Sequence, residues 1–121
     1  MIATETDYGF DLAMTRGDTD NLTVTMTIEQ DGADVAFDAD TAVMTVRTTR
    51  EGKELFSINA TSVTNGVAVF DFAPDLTAGL DAGKYVYDVQ ATTADGVVKT
   101  ALGGLMRPCR FVLYQDVTYD D

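Results

Sequence analysis

A chain of 121 residues, 45% apolar and 9% aromatic, has room for one hydrophobic core but not for two, and is too apolar to remain disordered. Twenty acidic against eight basic residues give a net charge of −12, and the cations run scattered from Arg16 to Arg110. Nucleic acid and anionic membrane surfaces are therefore excluded as main partners, and the charge reads first as a device for solubility.

Taken in chain order, the opening Met1–Asp7 is acidic and polar, unlike a signal peptide, and residues 1–8 read as a loose arm. A weak strand is expected at about 9–15. The turn after it holds Arg16-Gly17-Asp18, which spells the integrin-recognition tripeptide. Three residues are a short match, and the turn has a structural reading, with Asp18 accepting backbone hydrogen bonds. Leu22, Val24, Met26 and Ile28 alternate with threonines over a full strand, and Ala42, Met44 and Val46 do so again, with Val43, Thr45 and Arg47 facing away. Ala68, Phe70 and Phe72 form a third alternation, stopped by Pro74. Tyr85, Tyr87, Val89 and Ala91 share one face of the next strand, with Lys84, Val86, Asp88 and Gln90 on the other. Cys109, Phe111 and Leu113 belong to the last strand. Weaker strands are expected at about 54–60 and 97–103.

Asp31-Gly32, Glu51-Gly52, Asn65-Gly66 and Asp95-Gly96 mark turns between these stretches. Only Asp75–Leu80 can form a helical turn, too short to stand alone. The pattern predicts an all-β, immunoglobulin-like antiparallel β-sandwich of seven to eight short strands without a disulfide, one domain over 9–118, with 119–121 loose.

Chemistry is sparsely signalled. The sequence has no histidine, and Cys109 is its only cysteine, so neither a disulfide nor a Cys–His nucleophile can be built. No phosphate-binding glycine loop or nucleophile elbow is present. Acidic residues are abundant, but most sit at expected turns, where aspartate serves the backbone. Asp31, Asp34, Asp38 and Asp40 crowd one loop and Asp18 and Asp20 another, yet Asp38-Ala39-Asp40-Thr41 matches only a fragment of a calcium loop. Asn21-Leu22-Thr23 and Asn59-Ala60-Thr61 fit the glycosylation sequon, which matters only in a secreted eukaryotic chain. No apolar run approaches the roughly 20 residues of a membrane helix. The expectation is a protein without catalytic residues, metal or cofactor.

The segment Leu80-Asp81-Ala82-Gly83-Lys84-Tyr85-Val86-Tyr87 resembles the start of strand F in immunoglobulin-like sandwiches, where a tyrosine hydroxyl bonds back to the upstream backbone. Tyr87 then stands where antibody domains carry the second disulfide cysteine, so its hydroxyl needs a buried partner. Four stretches in order resemble one family. They are Arg16-Gly17-Asp18-Thr19, Val46-Arg47, the strand from Gly83 through Tyr85, Tyr87 and Asp88 to Gln90, and Phe111-x-Leu113-x-x-Asp116-Val117-Thr118. Together they are similar to the β-sandwich modules of tailed-phage and prophage particles, such as the N-terminal domain of baseplate upper proteins.

That resemblance implies a non-catalytic virion protein made in the bacterial cytoplasm, joined to other virion proteins in a trimer or hexamer. The chain stops just after Asp116-Val117-Thr118, where a baseplate upper protein continues, and Leu105–Arg110 replaces a simple strand start. An accessory or connecting role is expected for that reason. The alternative is an adhesin or carbohydrate-binding module on a host surface, with Tyr8, Tyr114 and Tyr119 as its candidate exposed aromatics. Two further expectations follow from the fold. Arg47 and Asp88 approach across strands C and F, and Val43, Val86 and Val112 put apolar atoms on outward faces.

Overall fold

The structure, a computed structural model, describes residues 1–6, 9–49, 51–102 and 109–115. Its elements are β1 (Ile2–Thr6), β2 (Gly9–Thr15), β3 (Asp20–Thr25), β4 (Thr27–Gln30), β5 (Ala33–Ala36), β6 (Thr41–Arg47), β7 (Glu54–Asn59), β8 (Ser62–Thr64), β9 (Val67–Phe72), α1 (Pro74–Ala78), β10 (Gly83–Thr92), β11 (Val98–Leu102) and β12 (Cys109–Tyr114). One sheet has the order β1-β2-β12-β10-β6-β7, with β11 paired to the end of β10. A three-stranded sheet, β3-β9-β8, packs across from it, and β4 and β5 form a separate hairpin. The fold is an all-β sandwich of the immunoglobulin-like kind, with Cys109 a free thiol.

Alternation in the sequence becomes alternation of burial. Leu12 and Met14, Leu22 and Val24, Met44 and Val46, Phe70 and Phe72, Tyr87 and Val89, and Phe111 and Leu113 all point into one core. Phe72 of the small sheet stacks on Phe111 of the large one, with centroids 6.3 Å apart and planes at 13°. Phe56 meets both edge-on, at 6.4 and 6.1 Å. This aromatic cluster joins the sheets without a disulfide.

The turns form as their residues dictate. Asp31-Gly32 and Asn65-Gly66 each place both central residues at positive φ, the two-residue hairpin geometry that matches strand twist. At Gly66 a side chain is also barred by space. A Cβ would stand 2.7 Å from the Met26 carbonyl oxygen. Pro74 ends β9 and occupies the first turn of α1, where its missing N–H costs nothing.

Four features differ from the sequence expectation. Twelve strands are present among the described residues in place of seven or eight, because short pairings such as β1–β2 and β4–β5 supplement the main ones. Residues 2–6, expected within a loose arm, pair with β2 along their whole length. The strand expected through Ile28 breaks at Met26, because its partner β9 starts at Val67 and offers nothing further. Met26 instead donates its N–H to Gly66 and accepts from Phe37, and the chain leaves the sheet as the β4–β5 hairpin. Finally, among the described residues the pairing is antiparallel except between β12 and β2, which run parallel.

Candidate functional site

The residues singled out in the sequence fall mainly at one end of the large sheet and along β10. After β2 the chain turns through Arg16-Gly17-Asp18, with Gly17 at φ +80°. The Asp18 N–H donates to the Thr15 carbonyl at 3.3 Å, while its carboxylate is exposed and accepts no hydrogen bond among the described residues. The expected acceptor role of Asp18 therefore passes to another residue, Thr77. Thr77 is fully buried on α1, and its Oγ1 accepts the Gly17 N–H at 2.8 Å. Arg16 Nη1 donates to the Leu80 carbonyl at 3.3 Å. Two bonds thus fasten the turn to the segment that leads into β10. Thr19 is exposed beside it.

The strand itself starts at Gly83, opposite Leu113. The Tyr85 hydroxyl donates to the Asp81 carbonyl at 2.5 Å, bonding back over the turn as the strand-F resemblance implied. Two residues on, the Tyr87 ring is buried, and its hydroxyl donates to the Phe10 carbonyl at 2.5 Å. That carbonyl belongs to β2, on the far side of β12. One side chain thus spans three strands of the large sheet. Burial first, then the neighbouring Cys109 thiol and, least, Asp11, push the Tyr87 phenol well above its ordinary range. It stays neutral and acts as a hydrogen-bond donor.

On the outward face, β6 and β10 are antiparallel neighbours, as expected, with Val86 opposite Arg47 and Asp88 opposite Thr45. Arg47 and Asp88 are diagonal neighbours on one face and interact electrostatically, but they do not close to an ion pair. The guanidinium turns instead toward the Gly52 carbonyl, at 3.4 Å. Burial raises the Asp88 carboxyl above its usual range, and the Arg47 charge opposes this by less. Val43, Val86 and Val112 are half-buried on that face. Asp116 and Thr118 of the closing motif lie outside the described residues, as do Tyr8 and Tyr119. Tyr114 is exposed.

No described group of three or more aspartate, glutamate, cysteine or histidine side chains converges on a point. Asp20 takes the Met1 amino group at 2.5 Å and caps the Asn21 N–H at 2.8 Å. One cavity of about 500 Å³ lies beside Asp20 and Asp71, over Phe72 and Pro74, as an open surface hollow. Another, of about 180 Å³, opens between Phe10 and Leu12 on one sheet and Leu22 and Val24 on the other, and no titratable side chain lines it. No described helix is long and apolar enough to cross a membrane.

Sequence reasoning missed Thr77, although the helical turn that carries it was legible. The one available signal was a threonine set among Leu76, Ala78 and Gly79, where nothing else can satisfy a buried backbone donor. No family model matches the chain, and no curated protein does. Among solved structures it is similar to CopC from Methylosinus trichosporium OB3b, at 10% identity and a TM-score of 0.47, over 91% of this chain and 89% of that one.

Proposed function

We propose that the protein is a non-catalytic structural module of a phage or prophage particle, acting through protein–protein contacts. The observation that carries this reading is where the motif stretches go. Arg16 and Gly17 are bonded to Leu80 and Thr77, Val46 lies opposite Tyr87, and Phe111 lies opposite Tyr85. The described residues of these stretches thus join into one frame of hydrogen bonds and strand pairings. A frame of this kind suits a protein whose task is to hold surfaces at fixed positions.

The test is biochemical. Particles induced from a lysogen encoding this chain, purified on a density gradient and digested, are expected to contain its peptides at a fixed ratio to a major virion protein. Peptides confined to the soluble fraction would count against the particle role, and selective binding on a glycan array would favour a host-surface adhesin in its place.

A further inference from the structure

The outward face of the large sheet has a charge pattern unlike the rest of the molecule. Its strand positions carry Asp11, Glu54 and Asp88 against Arg47, Lys84 and Arg110, three of each sign. The remaining sequence, with 17 acids and 5 cations, holds the entire excess of −12. Over the rest of the molecule taken together, two approaching copies meet net repulsion, whereas on this face the net charge is zero.

The arrangement is ordered as well as balanced. Asp11, Arg110, Val86, Arg47 and Glu54 lie side by side across β2, β12, β10, β6 and β7. The first two are already tied, since the Arg110 N–H donates to Asp11 Oδ1 at 3.0 Å. A two-fold axis laid along the strands, midway between β12 and β10, maps β2 onto β6 and β12 onto β10. It sets Asp11 of each copy over Arg47 of the other and Arg110 of each over Val86 of the other. Every opposite-charge contact is then made twice, as a self-complementary interface requires. Lys84 falls over Val112, so that its aliphatic stem covers a half-buried valine.

We infer that this face is a homodimer contact whose occupant is a second copy of the chain, paired Asp11 to Arg47 about a two-fold axis. The contact stands whether or not the protein belongs to a particle. Inside one, it fits assemblies built from an even number of copies.

Sedimentation of the full chain tests it. A rise from 13.0 kDa toward twice that mass is expected between micromolar and millimolar concentration, weakening as salt is added. Asp11→Lys and Arg47→Glu should each weaken self-association by about tenfold or more. Mixed together, the two variants should associate again. The introduced lysine of one then meets the introduced glutamate of the other, while the remaining native Asp11 and Arg47 still face each other. Val86→Arg, which sets like charges opposite Arg110, should abolish the dimer and serves if Asp11→Lys fails to fold. A monomer throughout the range, a trimer, or a dimer indifferent to the Arg47 and Val86 variants overturns the inference. Particle proteomics bears only on the setting, so the two readings fail separately.

Discussion

Two tyrosines, two residues apart, do different work on one strand. The Tyr85 hydroxyl is near the surface and closes the local turn, so Tyr85→Phe should cost about 0.5–1.5 kcal/mol. The Tyr87 hydroxyl satisfies the Phe10 carbonyl inside the sandwich, and Tyr87→Phe leaves that acceptor unpaired, at about 1–3 kcal/mol. Urea titration of both variants checks the order, and a larger loss for Tyr85→Phe would contradict it. Asp88 gives a prediction in pH. Burial raises its carboxyl above the usual value, so the folded state holds this proton more tightly than the unfolded chain does. The resulting stability is present below the ordinary carboxyl range and is lost as pH rises through the raised folded value. Asp88→Asn should therefore raise Tm at pH 7, with the gain shrinking as pH falls through the raised folded value and largely gone below about 4. An equal gain at both pH values would show that the charge is not the cause.

At the scale of elements, the turn between β2 and β3 and the short helix α1 form one unit. Thr77→Val keeps the shape of the side chain but removes the acceptor for the Gly17 N–H, and should cost about 1–3 kcal/mol. Asp18→Ala, in the same turn, removes an exposed carboxylate with no hydrogen bond among the described residues and should change stability by less than about 0.5 kcal/mol. Thermal unfolding of the pair checks the contrast. Equal effects would mean that Asp18, and not Thr77, holds the turn. The hairpin turns were legible in the sequence because Asp-Gly and Asn-Gly carry their φ preference locally. The end of β3 was not legible, because the alternation continues through Ile28 while the pairing strand does not. A strand extends only as far as its partner, and the partner's start is set by a turn some 40 residues away.

For the whole molecule, the two sheets are held by the cluster of Phe56, Phe72 and Phe111. Phe72, buried and in contact with both other rings, is expected to lose about 3–5 kcal/mol as Phe72→Ala, a large share of a domain's total stability. Phe56, only half-buried on β7, should lose less as Phe56→Ala. Denaturation midpoints of the two variants check this, and the reverse order would relocate the junction between the sheets.

The all-β class, the inward face of every main strand and the two tyrosines of β10 are written in the order of the residues alone. Each of these rests on a period of two or on a local turn, information that lies within a few residues. The parallel pairing of β12 with β2, the Thr77 acceptor beneath the Gly17 turn and the row from Asp11 to Glu54 emerge with the folded sandwich. Apart from Arg47 and Glu54, which face each other across one hairpin, those join residues some 25 to 100 positions apart. No turn or periodicity encodes such pairs, so they exist only once the core has closed and brought their strands side by side.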